Sequence, residues 1–174
     1  MRKLRLYIAA TLDSFIAGPN GEIDWLEAGA GGDLDYGYVE FYASIGTTLM
    51  GNSTYKLALT ADEFPYQEKT NYVFTRSDLV PDTAYVKYIS GDIAAFVRGL
   101  KGQAGQDIWL IGGGQINTIM LNEGLIDEII LTVFPLALGE GIPLFAPGAR
   151  RAHFETVGCE TFHTGLIQWR LAKV

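Results

Sequence analysis

Three consecutive glycines, Gly112–Gly114, follow the apolar run Ile108-Trp109-Leu110-Ile111, and no other stretch restricts the fold as tightly. Glycine weakens the interior of a helix or a strand, so an element has to end there. The β-branched and aromatic run before it reads as a strand. Ile116, Ile119, Met120 and Leu121 after it fall at helical spacing. The segment is therefore a strand, a tight turn and a helix. Two further strand-end junctions carry small or hydroxyl residues, Gly51-Asn52-Ser53-Thr54 and Thr75-Arg76-Ser77. A strand that leaves through a helix returns parallel to itself by a right-handed crossover, which points to a mostly parallel sheet with helices on both faces.

The rest of the chain agrees with this plan. Leu4, Leu6 and Ile8 alternate with Arg5, Tyr7 and Ala9 in a first strand. Tyr38, Phe41, Tyr42 and Ile45 mark a helix within 35–45, and Ile93, Phe96, Val97 and Leu100 mark another, opened by Ser90 or Asp92 as its cap. Strands are predicted near 4–10, 47–50, 71–75, 85–89, 107–111, 126–134, 154–162 and 166–172. Helices are predicted near 35–45, 53–59, 93–100 and 114–121. The last two strands form a hairpin closed at Thr164-Gly165, which requires one antiparallel strand. The 174 residues suit one α/β domain with an eight-stranded sheet. The 21 glycines exceed the usual share of about 7%, and they cluster between apolar runs, where backbones must come close.

Charge and composition remove several classes of function. A formal charge of −7 argues against nucleic acid, whose phosphates need clustered Lys and Arg. The longest apolar run, Ile129–Leu138, is far shorter than the roughly 20 residues of a membrane helix. The lone Cys159 suits a reducing, cytoplasmic setting. His153 and His163 have no clustered acids or cysteines, so no metal site is expected.

In an open parallel sheet, ligands bind beyond the carboxyl ends of the strands. Helix N-termini there offer free N–H groups and a positive dipole end to phosphate. The triple glycine is not the G-x-G-x-x-G dinucleotide fingerprint, because position 117 is Asn and the segment comes late in the chain. A different way of binding a nucleotide is required.

Five motifs in order resemble the dihydrofolate reductase superfamily: IAATLDSFIAGPNGEIDWL, LMGNSTY, VFTRSD, IWLIGGGQI and EIILTVFP. PLALGEGIPLF resembles the reductase domain of the bifunctional riboflavin-biosynthesis enzymes, a branch of that superfamily. The resemblance covers almost the whole chain and implies a dihydrofolate-reductase-like domain that binds NADPH. It places Ala10 and Ile16 by the nicotinamide and Ile111 among the cofactor-binding residues. Gly51, Asn52, Ser53 and Thr54 would lie on the pyrophosphate, and Thr75, Arg76 and Ser77 on the adenosine end with its 2′-phosphate. Gly113, Gly114, Gln115 and Ile116 would lie on the pyrophosphate and nicotinamide side. The implied activity is hydride transfer to a pterin, a pyrimidine or a related heterocycle, as in dihydrofolate reductase or 5-amino-6-(5-phosphoribosylamino)uracil reductase. A nucleotide-binding protein of this fold without catalysis is the alternative. Asp35, with Asp24 and Asp33 nearby, is the candidate carboxylate, and Trp25 belongs to the loop that would bring Asp24 in. Helix capping at Asp35 and a solvated loop at Asp33 compete with those roles. The long loop 11–34 is expected to act as a lid. A homodimer is expected through the apolar stretch 129–146.

Overall fold

A computed structural model describes residues 1–29, 34–77 and 80–174 of the chain. An eight-stranded sheet forms the centre. Its strands in chain order are β1 (Leu4–Thr11), β3 (Ile45–Gly51), β4 (Thr70–Phe74), β5 (Val86–Ile89), β6 (Asp107–Gly112), β7 (Glu128–Phe134), β9 (Phe154–Thr161) and β10 (Ile167–Lys173). The spatial order is β5-β4-β3-β6-β1-β7-β10-β9. All pairs from β5 to β7 are parallel, and β10 runs antiparallel to both β7 and β9. This is the predicted architecture, including the terminal hairpin.

Alternation along β1 and β6 divides the core between two faces. Leu4, Leu6, Ile108 and Leu110 pack against α4 (Ile93–Lys101) and α5 (Gly114–Asn122) through Ala94, Val97, Leu100 and Met120. Asp92 caps α4, its carboxylate accepting from the Ala95 N–H at 2.9 Å. Trp109, Tyr7 and Ile130 face the other way and pack with Phe41 of α2 (Tyr38–Ser44). On that side, too, Tyr55 of α3 (Asn52–Ala58) packs with Met50 and Val73. At the amino ends of the strands, Asp127 accepts from the Leu4 N–H at 2.7 Å and from Lys101 Nζ at 2.5 Å. That pair ties β1, α4 and β7 together.

Three features differ from the sequence expectation. The stretch 11–34 is not a bare loop. It holds β2 (Phe15–Ala17) and α1 (Asp24–Gly29). β2 pairs antiparallel with β8 (Ile142–Pro143), elements of three and two residues that are too short to show a period. The α2 helix begins at Tyr38, not at Asp35, because Gly37 takes a left-handed φ of 76°. The first part of the stretch 129–146 is an interior strand, since β7 lies between β1 and β10 with Ile129, Ile130 and Phe134 buried, whereas Leu136 beyond it is exposed. Asp33 and Asp78 fall outside the described residues.

Candidate active site

The carboxyl ends of β3 and β6 lie side by side, with Met50 opposite Gly112, so two crossover helices start next to each other. A Cβ on Gly51 would stand 3.4 Å from Ile116 Cγ1, and one on Gly113 would stand 3.6 Å from Thr54 Oγ1. The fold thus brings Gly51, Thr54, Gly113 and Ile116 into one cleft. Gly112 holds φ at +118°, a conformation that essentially requires glycine. Gly114 is needed for packing, because a Cβ there would lie 2.2 Å from the Pro143 carbonyl oxygen. No side chain caps α5, so its first N–H groups are left for a ligand or water. Behind the turn, the fully buried Asn117 donates from Nδ2 to the Leu144 carbonyl at 3.0 Å, while its Oδ1 has no partner among the described residues.

Arg76 crosses from the end of β4 to this helix, donating to Gln115 Oε1 at 2.9 Å. Thr75 is tied to β5 by its N–H to the Ile89 carbonyl at 3.0 Å, and its hydroxyl accepts from the Ser77 N–H at 3.1 Å. Arg76, Ser77 and Ser53 are exposed, and Asn52 is half-buried. The segments 51–54, 75–77 and 113–116 therefore border one end of the sheet, with Arg76 as the link between them.

The apolar residues expected at the cofactor divide. Ile111 is half-buried and packs against the clusters on the α2 and α3 side. Ala10 is 1% exposed, and alternation along β1 turns it to the face of Leu4 and Leu6. Ile16 packs on that same core. Ala9 is the residue that β1 presents to the α1 and α2 side, where it packs with Trp25 and Phe134.

Trp25 is buried in α1, edge-on to Phe134 at 5.0 Å, with an indole N–H that has no partner among the described residues. Asp24, the first residue of α1, is exposed. Asp35 is exposed and accepts from the N–H groups of Gly37 and Val39, both at 3.1 Å. The structure places neither of these carboxylates in a buried position.

Sequence reading missed the polar groups that do line this face, a group of tyrosines. Tyr7 and Tyr38 flank Trp109 edge-on at 6.3 and 5.8 Å, and Tyr66 lies edge-on to it at 5.3 Å. Tyr7 donates to the Tyr36 carbonyl at 3.0 Å. Burial pushes the Tyr66 phenol up to about 12, and it raises Tyr7 and Tyr38 as well. The aromatic spacing of residues 38–45 was the available signal, and it reads as a helix face.

Comparison with known proteins adds to this geometry. The family model of the RibD C-terminal domain matches residues 2–168. Two uncharacterized proteins of Bacillus subtilis (strain 168) are related. YwjB is 43% identical over 145 residues, covering 83% of each chain. YyaP is 36% identical over 179 residues, covering 96% of this chain and 93% of its own. A protein of Shewanella sp. PV-4, provisionally named for riboflavin biosynthesis, superposes with a TM-score of 0.86 at 27% identity over 99% of both chains. The diaminohydroxyphosphoribosylaminopyrimidine deaminase/5-amino-6-(5-phosphoribosylamino)uracil reductase of Thermotoga maritima shares the fold, with a TM-score of 0.73 at 17% identity. It is matched over 99% of this chain and 57% of its own.

Proposed function

The chain belongs to the RibD C-terminal domain family, and on that footing we propose that it is an NADPH-dependent reductase acting on a pterin, a pyrimidine or a related heterocycle. One observation carries the reading. The uncapped start of α5 faces Gly51 and Thr54, with the Arg76 guanidinium fixed beside it on Gln115. Free N–H groups, a hydroxyl and a guanidinium are what a dinucleotide phosphate needs.

The residues present fit the cofactor. Gly113 leaves open the space in front of Thr54 that a side chain would fill. Gly51, Thr54, Gly113 and Ile116 would hold the pyrophosphate, Arg76 and Thr75 the adenosine 2′-phosphate, and Ile111 and Ala9 the nicotinamide. When bound, NADPH would supply the hydride. The protein contributes orientation and electrostatics. Trp25, packed on Phe134, would shield the ring from water on the α1 side.

The exposed positions of Asp24 and Asp35 favour one competing reading, a domain that binds the nucleotide without turning it over. A single set of assays separates the two. NADPH binding is measured by fluorescence titration, and its oxidation is followed at 340 nm (an assay wavelength, about the nicotinamide absorbance maximum) against a panel of pterins, pyrimidines and ring carbonyl compounds. Saturable binding with turnover of one panel class supports the reductase. Binding without turnover supports the competing reading, and absence of binding removes both.

A further inference from the structure

Gly114, Asn117, Thr118 and Asn122 stand at i, i+3, i+4 and i+8 of α5, so they share one face of the helix. That face holds the backbone of the chain after β8 by hydrogen bonds. Asn117 donates from Nδ2 to the Leu144 carbonyl at 3.0 Å. The Thr118 hydroxyl accepts from the Ala146 N–H at 2.7 Å and donates to the Gly114 carbonyl at 2.9 Å. Asn122 donates to the Gly148 carbonyl at 3.0 Å and accepts from the Arg150 N–H at 2.7 Å. At the first residue of α5 the fit is closest, with the Pro143 carbonyl oxygen 2.2 Å from where a Gly114 Cβ would stand. Residues 143–150 thus form a strap along the helix.

The near end of the strap is tied to the other side of the cleft. The Leu144 N–H donates to the Ser14 carbonyl at 2.8 Å. β8 pairs with β2, Ala17 standing opposite Ile142, and the Ala17 carbonyl oxygen lies 2.2 Å from where a Gly141 Cβ would stand. The Phe15 N–H donates at 3.1 Å to the hydroxyl of Thr11, the buried last residue of β1. An unbroken run of bonds therefore joins the glycine turn, through the strap and β2, to the end of β1 beside Ala9 and Ala10.

Asn117 is fully buried, and its Oδ1 has no partner among the described residues. That oxygen lies under the turn, 3.5 Å from where a Gly112 Cβ would stand. An amide that makes one bond and leaves a buried acceptor unpaired adds little net stability. What it supplies is a fixed spacing between the glycine turn and Leu144, and Thr118 fixes Gly114 against Ala146 in the same way.

We propose that Asn117 and Thr118 are positioning residues: they lock the strap to the phosphate-binding start of α5, and the strap sets β2 against the end of β1. The nicotinamide half of the cofactor then meets a wall already in register with its pyrophosphate. The assignment rests on the reductase reading, since it concerns the cofactor of that same site.

The probes are NADP⁺ and 2′-phospho-ADP-ribose, which carries the same phosphates without the nicotinamide. Both are titrated calorimetrically into the parent chain, Asn117→Leu, Thr118→Val and Thr118→Ser, with circular dichroism as the check on folding. The parent should bind NADP⁺ more tightly than the fragment. In Asn117→Leu and Thr118→Val that advantage should shrink about fivefold, as for one lost neutral hydrogen bond, while fragment affinity stays within about twofold. Thr118→Ser keeps the hydroxyl and should keep the advantage. Thr118→Val, of the same shape as the parent residue, carries the test if Asn117→Leu does not fold. Equal losses for the two probes, which a merely structural role would give, overturn the proposal. So does an undiminished advantage in the folded variants, or a parent that binds both probes equally. Hydrogen exchange gives a second readout. In Thr118→Val the amides of 14–17 should exchange faster together with those of 144–146, at unchanged rates in α4; loosening confined to 144–146 overturns the proposal. A parent that binds neither probe removes the reductase reading and this assignment with it, whereas binding with any of the overturning patterns removes this assignment alone.

Discussion

Replacing Gly113 and Gly114 separately by alanine would divide ligand binding from folding, although the two positions are adjacent. Gly113 has φ −76° and ψ −174°, extended backbone open to any residue. Its new Cβ would meet only Thr54 Oγ1 at 3.6 Å, an ordinary contact. The fold should lose no more than about 0.5–1 kcal/mol, or roughly 2–4 °C in Tm for a chain of this size. The same methyl would stand where the pyrophosphate should lie. Displacing one charge-assisted hydrogen bond costs about 1.5–3 kcal/mol, which is roughly a ten- to hundredfold loss of NADPH affinity. Gly114→Ala should behave in the opposite way. Its Cβ would lie 2.2 Å from the Pro143 carbonyl oxygen, and a backbone atom cannot rotate aside. Shifting the β8 segment costs about 1–3 kcal/mol, lowering Tm by roughly 2–12 °C. NADPH fluorescence titration and thermal melting of both variants give the two readouts. Parental NADPH affinity in a folded Gly113→Ala protein would refute the placement of the cofactor.

Arg76→Ala should weaken NADPH about ten- to a hundredfold and leave NADH nearly unchanged; equal losses in parallel titrations would show that the 2′-phosphate is read elsewhere. Lys101→Met should lower stability by about 2 kcal/mol in urea unfolding, because it strips Asp127 of a buried partner while leaving it partly solvated. The unpaired edge of β9 and the exposed Trp169 of β10 are suited to a twofold contact with a second copy. Sedimentation should therefore give about twice the 19.0 kDa chain mass, falling to one chain in Trp169→Glu. Burial raises the Tyr38 and Tyr66 phenols, the latter to about 12. A phenol held neutral in the fold contributes stability that is complete below its unfolded value of about 10. That contribution fades as pH climbs towards the folded value. Tm should hold from about pH 7 to 9 and then fall, less steeply in the Tyr38→Phe/Tyr66→Phe double variant.

Elements that carry their own periodic signal were legible in the sequence. The alternation of β1, the spacing of α4 and α5, and the glycine turn between β6 and α5 each state their conformation locally. Eight strands and the antiparallel end followed from them. The elements that escaped draw their order from partners far along the chain. β2 exists because β8 lies 125 residues away, with Ala17 opposite Ile142, and α1 because Trp25 finds Phe134. No window around either segment contains its partner. The same limit explains residues 129–134, whose apolar character belongs to an interior strand.

In the candidate site, the cleft residues were readable because a glycine run and a lone arginine at strand ends are unusual whatever surrounds them. The tyrosine group on the opposite wall was not readable, because aromatic residues at helical spacing state only a packed helix face. Only the placement of α2 over β1 and β6 turns Tyr38 towards Trp109, and only the 65–68 turn adds Tyr66. Asp35 shows the converse. An acid before a helix satisfies the helix first, and here two backbone N–H groups hold it at the surface. Ala9 and Ala10 differ by a single step of the β1 pleat, yet one faces Trp25 and the other the α5 core. A register of one residue therefore decides which alanine a ring could lie on. Ala9→Val should thus impair ligand binding at near-parental stability, because Ala9 is half-buried on the cleft side. Ala10→Val should cost about 1–3 kcal/mol of stability by overfilling a site with 1% exposure. Paired NADPH titrations and melts that gave the reverse assignment would show that β1 meets the ligand on its other face.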